Sequence, residues 1–100
     1  MTERGKIIFV GAVERGVAAK TGSAWASQEF VIETNERYPR KIAFTIFGEE
    51  KISNAAIREG EIIDVIFFPE SHQWNSRWFT ELRATDIIDN GRSRFVVPLI

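Results

Sequence analysis

The chain has 100 residues, 44% of them hydrophobic and 27% charged, with a formal charge of −1, the make-up of one ordinary globular domain and not of a disordered chain. It contains no cysteine, which excludes disulfides and thiolate zinc sites. There is no apolar run at the start and none long enough to span a bilayer, so neither a signal peptide nor a membrane helix is expected, and the expected location is the cytoplasm.

Lys6 to Val13 (KIIFVGAV) predicts a first strand, with Gly11 at a bulge or bend. Arg15 to Ala24 is rich in small and turn-forming residues and predicts a first long loop with a flexible tip at Thr21-Gly22-Ser23. Trp25 to Thr34 and Lys41 to Phe47 then alternate as strands: Phe30 and Ile32 share one face, as do Ile42, Phe44 and Ile46, and these faces should point inward. The opposite parity puts Ser27, Glu29, Val31 and Glu33 outward on the second strand and Lys41, Ala43, Thr45 and Phe47 outward on the third, so Phe47 is expected to be an exposed aromatic. Between them Asn35 to Arg40 forms a polar connection that tolerates Pro39.

Glu49 to Arg58 is the one helical candidate, with Ile52, Ala55 and Ala56 on an apolar stripe, an acidic first turn suited to the helix dipole, and Gly60 as a stop. Glu61 to Phe68 and Trp78 to Ile88 predict the last two strands, joined by a second long loop, Pro69 to Arg77, that carries Trp74. After the turn signal Asn90-Gly91, the apolar Phe95, Val96, Val97, Leu99 and Ile100 suit an edge strand or docking on a neighbouring subunit. Strand, strand, strand, short helix, strand, strand, with long connections after strands one and four, is the plan of an all-β, five-stranded Greek-key OB-fold barrel with one short helix between strands three and four. The barrel is expected over residues 1–88 and a tail over 89–100.

The formal charge is unevenly spread. Residues 1–48 carry seven Lys/Arg against five Asp/Glu, residues 49–70 two against six, and residues 71–100 four against three. Such a split permits a basic groove on one side and an acidic back on the other.

Several strings together resemble bacterial single-stranded DNA-binding proteins (SSB). GKIIFVG (Gly5 to Gly11) resembles that family's first strand, and FVIET (Phe30 to Thr34) its second. FGEEKISNAAIREGEIIDVIF (Phe47 to Phe67) is similar to its Phe-Gly, helix and Gly-x-x-V-x-V stretch, and WNSRWFTELRA (Trp74 to Ala84) to its tryptophan loop and last strand. The strings EFVIET and WNSRW resemble more closely still those of short SSB-like proteins of Bacteroidetes and their phages. The resemblance implies an OB fold that binds single-stranded DNA with little sequence preference. Two departures stand out: Lys41 occupies the place of a stacking aromatic in that family, which leaves a smaller stacking platform unless Tyr38 substitutes, and the chain ends RFVVPLI where the family has an acidic, partner-recruiting tip.

A binder of unpaired bases needs exposed aromatics for the base faces and cations for the backbone. Phe47 and Trp74 are the leading stacking candidates, on parity, loop position and the match to the SSB pattern; their competing roles are packing under the helix and anchoring a loop. Trp78 and Trp25 divide between rim or loop-closing anchors and base platforms, and Tyr38 is a further candidate. Lys20, Arg37, Arg40, Lys41, Arg77 and Arg83 form the cationic set that tracks phosphates, each with an ordinary solvated charge as its alternative. Glu29 and Glu33 oppose this, being outward on the same sheet. The lone His72, and Glu61 and Asp64, form no metal or acid–base constellation, so no cofactor, small-molecule substrate or enzymatic activity is expected. The expected partners are single-stranded DNA or, failing that, single-stranded RNA, with a homo-oligomer extending the path; a protein-interaction OB module is the competing reading.

Overall fold

The computed structural model describes residues 1–96; the expectations for Val97, Leu99 and Ile100 lie outside them. Seven strands and one helix follow in order: β1 (Thr2–Val10), β2 (Glu14–Val17), β3 (Ala24–Thr34), β4 (Lys41–Phe47), α1 (Glu49–Ala55), β5 (Ile62–Trp74), β6 (Arg77–Asp89) and β7 (Arg92–Ser93). Five of them close into a ring: β1 pairs with β5, β5 with β6, β6 with β4, β4 with β3, and β3 returns to β1. Neighbours run antiparallel except β4 and β6, which run parallel and meet at Thr45 and Arg83.

The alternation read from the sequence decides which face is inside. Phe30, Ile32, Phe44 and Ile46 are buried and Ile42 is half-buried, as expected from period-two patterning. Phe30 lies directly across the ladder from Phe44, and their rings stack with centroids 5.4 Å apart. Ile7, Ile63, Val65, Phe67 and Ile87 complete the interior, and Ala55 and Ile57 plug it from the helix side. Each large aliphatic or aromatic side chain sealed in this way contributes about 1.5–3 kcal/mol relative to exposure.

Four expectations are corrected. The first strand begins at Thr2, not Lys6, and its bulge falls between Ile7 and Phe9, not at Gly11. The first long loop is mostly a hairpin: β2 pairs with β3 from Glu14↔Ser27 to Val17↔Ala24, leaving a short tip whose amides and carbonyls join Ala18 to Ser23 and Gly22. The helix ends at Ala55 because Ala56 turns left-handed at φ 43°, four residues before the glycine expected to stop it. The second long loop does not exist as a loop. Residues Pro69–Trp74 continue β5 and Arg77 begins β6, so the two strands form one long hairpin closed by Asn75 and Ser76, both at positive φ. That pair of positive φ values is what a tight two-residue hairpin turn needs. Pro69 is accommodated opposite Leu82 where the ribbon has already left the ring.

Beyond the ring, Arg94 ties three elements together. Its guanidinium donates to the Ala55 carbonyl at 3.1 Å, to both carboxylate oxygens of Glu61 at 2.9 and 3.0 Å, and to Asp89 at 2.7 Å. The last turn of α1 has no basic residue of its own, so this tail side chain supplies the cation that the carboxyl end of a helix favours. The Arg94 side chain is only 18% exposed, which sets it apart from the solvated Arg4–Asp64 and Arg15–Glu49 pairs. Hydrogen bonds from Arg94 hold the Glu61 carboxyl below its ordinary value, outweighing the opposite effect of partial burial.

Arg94→Ala should lower stability by about 1.5–3 kcal/mol, the usual worth of hydrogen bonds to a charged group, read as a denaturant midpoint that falls at constant slope. Because the folded chain holds the Glu61 proton less tightly than the unfolded chain, its contribution is complete at neutral pH and is lost as pH falls below about 4.5 through the lowered folded value. Glu61→Gln should therefore be less stable at pH 7 and show a shallower loss of stability in acid, measured by denaturation across that range.

Candidate nucleic-acid interface

The outward face of β3 and β4 carries a groove of about 620 Å³. It is walled by the segment after β1 (Gly11, Ala12, Glu14), floored by Trp25, Ser27, Glu29, Thr45 and Phe47, and bounded by Glu81 of β6. Three aromatics line it. Phe47 stands on the outward parity of its strand, as expected, and Trp25 lies on the same side of β3 as Ser27 and Glu29, whereas Phe9 was missed by the sequence reading. Strict alternation puts Phe9 on the side of the buried Ile7; the bulge between them turns it outward, where it is 47% exposed. A bulge reverses the parity of everything after it, and the sequence marks no residue as the site of this one.

Local packing sets the two other rings. Trp25 lies directly across the β2–β3 ladder from Gly16, and its indole covers that residue so closely that a Cβ there would sit 2.5 Å from the ring. Phe47 is half-buried, not freely exposed as expected, because the Arg83 guanidinium lies over its ring with Cζ 4.0 Å from the centroid. Arg83 is in turn held by Glu70, with Nη1 3.1 and 3.2 Å from the two carboxylate oxygens.

The β5–β6 ribbon extends from this face into solvent, and every residue from Phe68 to Thr80 is exposed. Its register assigns each side chain to a face. Phe68↔Arg83, Glu70↔Glu81, His72↔Phe79 and Trp74↔Arg77 share one face, which continues into the groove through Arg83 and Glu81. Pro69↔Leu82, Ser71↔Thr80 and Gln73↔Trp78 share the other, which has no charged residue. Trp74 and Trp78, 65% and 69% exposed, therefore stand on opposite faces and do not form one flat platform. On the charged face His72 stacks on Phe79 with ring centroids 6.1 Å apart, and the Arg77 guanidinium lies 5.9 Å from the Phe79 ring. Phe79 was also overlooked in the sequence, although its parity with Arg77 and Arg83 would have placed it on this side.

The cationic set is dispersed. Arg77 and Arg83 lie on the ribbon face that joins the groove. Lys20 lies at the β2–β3 tip. Arg37, Tyr38, Arg40 and Lys41 cluster at the β3–β4 connection, where Arg37 lies over the 77%-exposed Tyr38 ring at 5.6 Å. Arg40 is engaged there by Glu3 at 2.9 Å and Glu36 at 3.0 Å, pairs that raise its pKa and leave it occupied within the fold. Lys41 stands across the ladder from Glu33. Among the described residues Glu14, Glu29 and Glu81 form no ion pair, so the groove lining has three carboxylates and no cation of its own. The opposing carboxylates expected from Glu29 are thus present in the groove, while Glu61 and Asp64 are held by Arg94 and Arg4 on other surfaces.

A closed five-stranded ring and a helix between its third and fourth strands define the OB fold, and the groove across β3 and β4 lies on the face that OB folds in general use for ligands. The fold is shared with the crystal structure of the mitochondrial single-stranded DNA-binding protein Rim1 of S. cerevisiae, at a TM-score of 0.63 and 18% identity over 88% of this chain and 90% of that one. It is shared also with the SSB domain of a Synechococcus protein, at a TM-score of 0.56 and 14% identity over 87% and 90% of the two chains. By sequence, the chain belongs to the DUF3127 family, a domain of unknown function whose family model matches residues 3–88. No curated protein matches it.

Because the Trp25 ring is the movable partner of its contact with Gly16, Gly16→Ala should leave the fold intact and push the indole off the hairpin into solvent. The expected readout is a red-shifted tryptophan emission with greater iodide quenching and a nearly unchanged melting temperature; unaltered emission would show that Trp25 does not depend on that close approach.

Proposed function

We propose that this chain binds single-stranded nucleic acid, DNA in the first instance, with little sequence preference, across the OB ligand face and along the β5–β6 ribbon. The observation that carries the reading is the ribbon face on which Trp74, Phe79, His72 and Arg77 are exposed together and run into a groove lined by Phe9, Trp25 and Phe47. Flat rings replace the stacking that an unpaired base has lost, and adjacent guanidinium groups release counterions from the backbone. The fold shared with SSB domains supports the same reading, as does the resemblance of EFVIET and WNSRW to short SSB-like proteins of Bacteroidetes and their phages. We assign the chain no catalytic activity and no cofactor. One ribbon and one groove hold a short strand, so we further propose a homo-oligomer, which lengthens the path and raises avidity.

The acidic groove lining favours one competing reading, an OB module that docks a protein instead of a polyanion. Titration of tryptophan emission with oligo(dT) at low salt separates the two: quenching with a mobility shift supports nucleic-acid binding, and the absence of both supports the module. Matched DNA and RNA oligonucleotides in competition decide between the two nucleic acids, tighter RNA binding overturning the DNA assignment.

Trp74→Ala should weaken binding by about 1–3 kcal/mol, the loss of one stacked base, in a variant with an unchanged melting temperature. Arg77→Ala should flatten the dependence of log affinity on log salt by about 0.7, the value for one phosphate contact on a single strand. Replacing Glu29 and Glu81 together by Gln should tighten binding at low salt, with a gain that shrinks as salt rises; unchanged affinity would route the strand outside the groove.

A further inference from the structure

Two side chains that the sequence assigns to different tasks, Phe47 to stacking and Arg83 to phosphate contact, are in contact in the structure. One face of the Phe47 ring is taken, with the Arg83 Cζ 4.0 Å from its centroid. Glu70 holds the same guanidinium from the side, and the Arg83 side chain is still 33% exposed. Arg83 and Phe47 border a common hollow with Trp25 and Gly48 at the end of β4. A strand laid across the ligand face therefore meets the guanidinium where parity alone would have offered the phenyl ring.

Building on the nucleic-acid reading, we propose that the base platform at this position is the plane of the Arg83 guanidinium, with Phe47 as the plate that supports it from below and Glu70 as the group that fixes its orientation. A guanidinium is flat, weakly hydrated and stacks on π-systems, so a base laid on its free face completes a sandwich with Phe47. The alternative use of Arg83, an ion pair with phosphate, requires it to leave a carboxylate that already accepts from it at two oxygens. Stacking leaves that pair intact. The charge of Arg83 is offset by Glu70 before any ligand arrives, whereas its plane is not. Phe47 is thereby a positioning residue, and Arg83 the group that touches the base.

The test uses the full chain and a fluorescein-labelled oligo(dT), with anisotropy recorded at several salt concentrations. Arg83→Lys keeps the charge and removes the plane. If the base stacks on the guanidinium, affinity falls roughly fivefold to 150-fold, the range for one lost stack, while the slope against log salt is unchanged. Phe47→Leu removes the plate without altering charge and should weaken binding in the same direction, again at constant slope. Melting temperatures of both variants establish that they fold, and if one does not, the other carries the test. Arg83→Lys binding as tightly as the wild type, or a slope that drops by about 0.7 in Arg83→Gln, would make Arg83 a phosphate contact and overturn the platform while leaving the nucleic-acid reading standing. A wild-type chain that fails to bind the oligonucleotide at low salt overturns both.

Discussion

Strand β1 is paired on both sides at Gly5 and Lys6, opposite Thr34 and Glu33 of β3 and opposite Ile63 and Ile62 of β5, and the sheet closes into a ring at that seam. The closure leaves little room: a Cβ on Gly5 would stand 2.7 Å from the Glu33 carbonyl oxygen. Everything else depends on this double pairing. It seals Ile7 completely, gives the stacked Phe30 and Phe44 a covered interior, and directs the opposite parity of β3 and β4 outward as a continuous surface. Without the seam the sheet would have two open edges and no enclosed core.

A closed ring also solves a problem of material. One hundred residues bury a small core, so little is left for building a site inside the domain. The candidate interface is instead made from side chains that alternation leaves outside, and from a ribbon whose exposed part takes no part in the core. Exposed residues from Phe68 to Thr80 contribute little to stability, which frees them for recognition. The two faces of that ribbon are chemically distinct, one bearing Arg77, Phe79, His72 and Trp74 and continuous with the groove, the other uncharged around Trp78. The first face also carries Glu70 and Glu81, which balance Arg77 and Arg83 in number, whereas the second has no charge at all.

Charge around the groove and the ribbon is partitioned in a way that net charge conceals. Arg15 and Arg83 have carboxylate partners, Arg40 is engaged at the β3–β4 connection, and three glutamates border the groove. The groove itself therefore offers little positive charge, and Arg77, at the far end of the ribbon, has no carboxylate partner among the described residues. At ionic strengths where the screening length is about 8 Å, these two zones act almost independently.

Patterning within the chain was sufficient to settle the strands β3 and β4, their inward residues, the start of the helix and the order of the five ring strands, because period-two alternation and local breakers are properties of neighbouring residues. The outward parity of Phe47 followed from the same rule. Other features arise only when distant segments meet. The β1 bulge that turns Phe9 outward is defined by its register with β3, and the ribbon by cross-strand pairing over a stretch, FPESHQW, with too little alternation to announce a strand. The cover of Arg83 on Phe47, the engagement of Arg40 by Glu3 and the clasp of Arg94 on Glu61 join residues more than thirty positions apart. The sequence thus determined which residues are inside and outside most of the ring, and the tertiary structure alone decided which outward rings are bare and which cations are already spoken for, since an ion pair or a stacked contact depends on where the chain returns and not on what lies next to it.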